Sequence, residues 1–253
     1  MVNETVVVFG ASGFLGSHVA DALSAAGYQV RLFDRSPSPY LKSNQEMIVG
    51  DIMDLDQVIE AAKGTSIVYN FAAIADIDEA HNKPIPTATI NVLGNMHALE
   101  AARIAGARRF VFASSVYVYS ESGSFYRASK QAAERFTETY HDRYGLDYNI
   151  LRYGSLYGRR SDQRNGIYRM LHEAIAQHSI TYKGSGEAMR EYIHVEDAAR
   201  MSVQILAPEF ANRHMILTGQ EKLRIKDVMT MISEIMPWPV ELHFDEANAV
   251  HHY

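Results

Sequence analysis

The sequence contains no cysteine, which removes disulfides and thiolate metal sites from consideration and suits a reducing compartment. Long apolar runs are missing as well. No segment approaches the roughly 18–20 residues needed to span a bilayer, so no membrane association is expected. There is also no dense basic stretch. With 24 basic against 30 acidic residues and a net charge of −6, nothing in the chain can track a phosphate backbone, and nucleic acid is not an expected partner. The opening Met-Val-Asn-Glu has no cationic stretch ahead of a long apolar run. No signal peptide is therefore expected, and the expected location is cytoplasmic. Internal repeats and low-complexity tracts are absent too.

What is present is an ordinary globular balance, 47% hydrophobic and 21% charged over 253 residues. That suffices for one large α/β domain, or a nucleotide-binding domain with a small appendage. Thr5–Phe9 is a continuous apolar run ending in glycine, the pattern of a strand buried on both faces. Phe14–Ala26 has helical spacing and stops at Gly27. Strand signals recur at Gln29–Phe33, Met47–Val49, Ser66–Phe71, Arg109–Ala113 and Tyr148–Leu151. Between them lie helical stretches at Leu55–Ala62, at Thr87–Ala105 behind the breakers Pro84 and Pro86, and at Tyr126–Tyr144. Beyond Tyr153 the regularity weakens, with helices near Ile167–Gln177, Val195–Leu206 and Ile225–Met236. Alternating strands and helices predict an α/β fold built on a Rossmann-type, doubly wound parallel sheet over residues 1–153. Residues 154–253 are expected to be mainly a small C-terminal substrate-binding lobe, with some segments returning to the first domain.

Gly10-Ala-Ser-Gly13-Phe-Leu-Gly16 lies between the first strand and the first helix. Glycines there permit a tight turn and let backbone N–H groups approach a pyrophosphate at a helix N-terminus. The spacing is GxxGxxG, and its strand-to-helix setting points to a dinucleotide. Gly10, Ser12, Gly13, Phe14, Leu15 and Gly16 are the candidate contacts. Asp34 closes the second strand, where a carboxylate accepts both ribose hydroxyls of an adenosine and repels a 2′-phosphate. That favours NAD over NADP, although Arg35 beside it suits the phosphate. Asp51 and Ile52 follow the third strand, where the acid can meet an adenine amino group or cap a helix.

Tyr126-Arg-Ala-Ser-Lys130 sets a phenol and an amine four residues apart on one helical face. A nearby cation favours the phenolate, so such a tyrosine can exchange a proton with a substrate hydroxyl near neutral pH. Ala113-Ser-Ser-Val-Tyr-Val-Tyr119 ends a buried strand shortly before, and hydroxyls at a strand's carboxyl end face the ligand crevice of an open α/β sheet.

In this order, the glycine loop, the serine pair and YxxxK resemble the extended short-chain dehydrogenases, the family of sugar-nucleotide epimerases, dehydratases and reductases. The resemblance covers almost the whole chain. It includes Asn70-Phe-Ala-Ala73, Asn91-Val-Leu-Gly-Asn95, Leu151-Arg-Tyr-Gly-Ser-Leu-Tyr-Gly158 and the stretch from Gly184 through Arg190 to Asp197. It implies Ser115, Tyr126 and Lys130 as the catalytic set, with Ser114 structural. It also implies Phe71, Ala72, Ala73, Asn91 and Tyr153, together with Tyr126 and Lys130, along the NAD. Ser115, Tyr126, Ser155, Tyr157 and Arg190 are implied along a nucleoside-diphosphate sugar, with Arg190 on the diphosphate. A homodimer formed through the helices at Ile90–Ala105 and Ala128–Tyr144 is implied as well, their apolar Ala132, Ala133, Phe136 and Tyr140 being more than one sheet needs.

Reaction type is read from the residues after the catalytic hydroxyl. Dehydratases of the family carry an Asp-Glu pair there, and the sugar-acid decarboxylases keep a glutamate. This chain has Val116 and Tyr117, which disfavours both chemistries, and reductive epimerases use a cysteine that is missing here. An NAD-dependent sugar-nucleotide epimerase is expected. The alternatives are a net dehydrogenase or reductase on such a substrate and, from another class, a non-catalytic NAD-binding sensor. The segment from Ser115 to Tyr126 is about half the family's usual length, and Ser155 stands where the family has asparagine. The eleven histidines are scattered without ligand spacing, so no metal is expected. Arg152, Arg159, Arg160, Arg164 and Arg190 form a further candidate group around a diphosphate.

Overall fold

A computed structural model describes residues 4–246, so His251 and His252 lie outside the described residues. In chain order the elements are β1 (Thr5–Phe9), α1 (Phe14–Ala25), β2 (Gln29–Asp34), β3 (Gln45–Val49), α2 (Leu55–Ala62), β4 (Ile67–Asn70), α3 (Ile77–Asn82), α4 (Pro84–Ala88) and α5 (Gly94–Ile104). They continue with β5 (Arg109–Ser115), α6 (Ser124–Tyr144), β6 (Tyr148–Tyr153), β7 (Ser155–Tyr157), α7 (Gly166–Gln177), β8 (Ser179–Tyr182) and β9 (Met189–His194). The last are α8 (Val195–Gln204), β10 (Arg213–Leu217), β11 (Lys222–Arg224), α9 (Ile225–Ile235) and β12 (Glu241–Phe244).

Two compact units result. The larger runs to Tyr153 and takes in Glu196–Leu217; the smaller comprises Gly154–Val195 and the chain from Thr218. The larger unit is a seven-stranded sheet ordered β10-β6-β5-β4-β1-β2-β3, and every pairing in it is parallel. Parallel strands need crossovers, which place helices on both faces and bury the strands entirely. This is why the Val-rich β1 carries an apolar run and why β4 and β5 are buried at every residue, with apolar runs at Ile67–Tyr69 and Phe110–Ala113. Phe9, Phe33, Val68, Leu99, Phe110, Phe112 and Ile150 are at the centre of the core. The strand order reverses between β1 and β4, the place where ligands bind in such sheets.

The helix expected over Thr87–Ala105 is divided into α4, a π-helical turn at Thr89–Leu93, and α5. Pro84 and Pro86 do not precede it. They form the first turn of α4, where a missing N–H costs nothing. The helix expected from Tyr126 starts two residues earlier, at Ser124, behind Gly123 in the left-handed conformation. The seventh strand, β10, carries an apolar run of only three residues, Met215–Leu217, behind Arg213 and His214, and lies at the sheet edge.

The smaller unit contains a three-stranded sheet, β11-β9-β7, and a parallel pair of β12 with β8. Its core gathers Met170, Ala174, Ile180, Val228, Met229 and Ile232 from α7, β8 and α9. Among the described residues no helix is long and apolar enough to cross a membrane.

Candidate functional site

The glycine loop is closed by its own backbone. Gly10 has φ +79, and a Cβ there would lie 2.5 Å from the Ala72 nitrogen; one on Gly16 would lie 2.2 Å from the Gly10 oxygen. Only glycine permits that approach, and it brings Phe71, Ala72 and the loop after β4 beside the loop after β1. Gly13 caps α1 without a side-chain hydrogen bond, and the first turn of the helix carries no acid. The uncapped N–H groups and the positive end of the helix therefore suit an anion.

Asp34 ends β2 beside this loop. Its two carboxylate oxygens accept the N–H groups of Ser12 at 2.9 Å and Arg35 at 2.7 Å, which fixes the side chain while leaving each oxygen further acceptor capacity. The Ser12 hydroxyl donates to the Ser36 carbonyl at 2.7 Å. Phe14 and Leu15 form the first turn of α1 behind Gly13. Asp51 is exposed and accepts from the Met53 N–H at 2.9 Å. It is not a helix cap, because Asp54 caps α2. Ile52 is buried beside Gly94 of α5. A cradle without Cβ atoms, an uncapped helix end and an oriented carboxylate fit the pyrophosphate and adenosine ribose of a dinucleotide.

Asn91 lies in the π-helical turn, buried, with its oxygen accepting from the Ile74 N–H at 2.7 Å. Its two amide hydrogens go to the Ile74 carbonyl and the Ser129 hydroxyl, both at 3.0 Å. Its donors are thus committed to holding the loop after β4 against α6. Asn70 and Asn95 make a second buried amide link at 2.8 Å. Tyr153 is also turned inward. Its hydroxyl lies 2.6 Å from that of Ser202, and burial raises its pKa.

Ser115 ends β5, where its hydroxyl accepts the Tyr117 N–H at 3.2 Å. Tyr126 and Lys130 are consecutive turns of α6 and are only 8% and 4% exposed. The Tyr126 ring packs edge-on against Tyr117, with centroids 6.2 Å apart. The Lys130 ammonium donates to the Ala113 carbonyl at 2.7 Å, 5.7 Å from the Tyr126 ring centroid and 5.0 Å from that of Phe112. Burial lowers its pKa to about 8, opposed by the negative charge of Glu134. It is therefore mostly cationic at neutral pH, with the Tyr126 ring one helical turn away.

The short connection between Ser115 and Tyr126 is folded tightly. Val116–Tyr119 make one 3-10 turn, Gln131 donates to the Val118 carbonyl at 2.9 Å, and Arg127 donates to the Ser120 carbonyl.

Arg152 does not join the arginines grouped above around a diphosphate. Its guanidinium grips Glu134 of α6, at 3.0 and 2.6 Å. Arg164 pairs with Asp162. In the smaller unit, Arg190 on β9 donates to the Met189 carbonyl at 3.1 Å. Ser155 and Tyr157 on β7 are in register with Tyr192 and His194 of β9. Ala133 and Tyr140, read above as surplus apolar surface, pack on the unit's own core; Phe136 is exposed. Glu134, four residues beyond Lys130, escapes a sequence reading focused on YxxxK. The continued spacing Tyr126, Lys130, Glu134 is the signal that could have found it.

Residues 6–217 match the family described as NAD dependent epimerase/dehydratase. A putative UDP-glucose 4-epimerase of Methanocaldococcus jannaschii is 30% identical over 223 residues, which span 79% of this chain and 73% of that one. Two solved structures share the fold. The UDP-N-acetylglucosamine 4-epimerase of Methanobrevibacter ruminantium, in complex with UDP-N-acetylmuramic acid, has a TM-score of 0.90 at 23% identity and covers 100% of this chain and 88% of its own. The UDP-glucose 4-epimerase of Thermus thermophilus, in complex with NAD, has a TM-score of 0.85 at 24% identity and covers 97% and 88%.

Proposed function

We propose, starting from the premise that this chain belongs to the NAD dependent epimerase/dehydratase family, that it is an NAD-dependent epimerase acting at C4 of a UDP-hexose. The observation that carries this reading is the Lys130 ammonium, buried and pressed toward the Tyr126 ring four residues before it. The named relatives act on UDP-sugars, which supports the nucleotide.

The Gly10–Gly16 loop would hold the pyrophosphate of NAD and Asp34 its adenosine ribose, and the bound nicotinamide would supply the hydride acceptor and donor. The chain's own groups handle the proton. Tyr126 removes it from the sugar hydroxyl and restores it after the sugar has presented its other face. Ser115 donates a hydrogen bond to the same oxygen, and Lys130 keeps the phenol acidic. Val116 and Tyr117 bring no carboxylate to the reacting sugar, so elimination of water has no additional acid and base. Ser155, Tyr157 and Arg190 are assigned to substrate, Arg190 to its diphosphate, since a guanidinium fork matches phosphate oxygens. The smaller unit is assigned the role of substrate lobe.

The test is incubation with NAD and, separately, UDP-glucose, UDP-N-acetylglucosamine and UDP-glucuronate, followed by NMR of the sugar and by NADH absorbance. A new 4-epimer without NADH accumulation is expected. Accumulating NADH would show a net dehydrogenase instead, and no conversion of any substrate would favour a sensor.

The protein is assigned a homodimeric, cytoplasmic state. Phe136 and Tyr144 of α6 and Ile104 of α5 leave apolar surface exposed on the two helices concerned. Light scattering should give twice the 28.4 kDa chain mass; a single species at the chain mass would exclude the dimer.

A further inference from the structure

Glu134 is a carboxylate buried to 6% exposure in a unit whose proposed chemistry does not use it. It is held from two strands. One oxygen accepts from the Ser114 hydroxyl at 2.5 Å and from Arg152 Nε at 3.0 Å, and the other from the second guanidinium nitrogen at 2.6 Å. Ser114 immediately precedes Ser115 at the end of β5, and Arg152 is on β6. On α6, Glu134 comes one turn after Lys130, which comes one turn after Tyr126.

We propose that Glu134 is a positioning residue for the Tyr126/Lys130 pair: it supplies the negative charge that faces Lys130 and ties the end of β5 to α6. A buried ion pair adds little to stability over an apolar pair of the same shape, so stability alone is a poor reason to bury this one. Its position gives a better one. A carboxylate held by Arg152 and Ser114, with His214 Nδ1 3.9 Å away and lone-pair capacity to spare, lowers the cost of keeping an ammonium charged in the apolar space between Phe112 and Tyr126.

Every element packed around Lys130 and Glu134 contributes polar or charged groups. On α6 itself, Tyr126 and Glu134 flank Lys130, and Glu138 lies a turn further on. β5 offers the Ala113 carbonyl and the Phe112 ring. β6 offers Arg152, whose remaining nitrogen donates to the hydroxyl of Tyr119, while the nitrogen that meets Glu134 also reaches, at 2.8 Å, Nδ1 of His214 on β10. A guanidinium only donates, so His214 Nδ1 accepts, and Nε2 carries the hydrogen toward Glu138 at 2.9 Å. On α3, His81 meets Ser124 at 3.2 Å; on α5, Glu100 is engaged by Arg103 and Tyr140. Glu134 is the charged group that acts directly on Lys130.

The inference rests on the reading of Lys130 as catalytic, but its test does not need turnover. Side-chain NMR of labelled lysine, with the Lys130 signal assigned by its loss in Lys130→Met, follows the titration of that amine. In Glu134→Gln, which keeps the shape and an acceptor oxygen, the Lys130 midpoint should fall by roughly one unit. In Arg152→Met, which leaves the carboxylate unneutralised, it should rise. Opposite shifts are the signature of charge, because a packing defect has no reason to change sign between the two. A midpoint unmoved in folded Glu134→Gln would overturn the proposal. If that variant does not fold, Arg152→Met decides alone, with a rise supporting the proposal and no change overturning it. In turnover assays the alkaline limb should move with the same signs; shifted midpoints in a protein that turns over no UDP-sugar would sink the epimerase and leave the charge relation standing.

Discussion

Replacing Tyr126 by phenylalanine is expected to lower epimerisation ~10²-fold or more while leaving the fold and NAD affinity in place. The ring is 8% exposed and packed against Tyr117, and phenylalanine keeps that ring and its contacts. What disappears is one oxygen, the one assigned to move the proton. Loss of turnover with KM nearly unchanged is the pattern of a group that matters mainly in the transition state. Calorimetric titration with NAD beside a rate measurement separates the two effects. A variant that turned over within a few-fold of the parent would remove Tyr126 from the chemistry and revive the reading of a non-catalytic NAD sensor.

Lys130→Met should also abolish turnover, and with it a cost in stability. The buried ammonium has its pKa lowered to about 8 from an ordinary 10.5. The folded state thus binds its proton less tightly than the unfolded state does. Below pH 8 both states carry the proton, and the native state bears the full desolvation penalty. Between about pH 8 and 10.5 the unfolded chain is protonated and the folded chain is not, so the parent gains stability as pH rises. Methionine fills similar volume without charge. Lys130→Met should therefore be more stable than the parent at pH 7 by up to ~3 kcal/mol, less whatever the lost hydrogen bond to Ala113 contributes. That advantage should shrink through the window from pH 8 to 10.5. Urea unfolding at several pH values measures it. An advantage that stayed flat across the window would mean that Lys130 titrates normally.

Much of the larger unit could be read in advance because parallel strands covered on both faces write themselves as apolar runs. The glycine loop was legible because backbone crowding admits no other residue at Gly10 and Gly16. β10 was not legible: Arg213-His-Met-Ile-Leu217 is an edge strand, half covered, and its Ile216 is largely exposed. The π-helical turn at Thr89–Leu93 was hidden inside a helical periodicity that it interrupts by one residue's worth of winding. The destination of Arg152 was hidden for another reason. Its acid lies 18 residues upstream on a different element, and no spacing in the sequence relates a strand to a helix packed against it. Asn91 shows the same difficulty at smaller scale. Its motif marked the residue, but its partners Ile74 and Ser129 are 17 and 38 positions away.

The return of residues 196–217 to the larger unit sets an order of events during synthesis. Tyr69 on β4 and Tyr153 on β6 bury their hydroxyls against Ser202, which emerges 133 and 49 residues later. Until α8 has been made, neither phenol has the partner that makes its burial affordable, and β6 is an open strand edge of the kind that recruits other chains. A growing chain that has passed Tyr153 is therefore at its most adhesive while the segment 154–195 is being added. The strand that closes the edge, β10, comes only after that excursion. For this fold, late arrival at the ribosome's exit is a property of the sheet's edge, and protection of nascent chains should matter most in that interval.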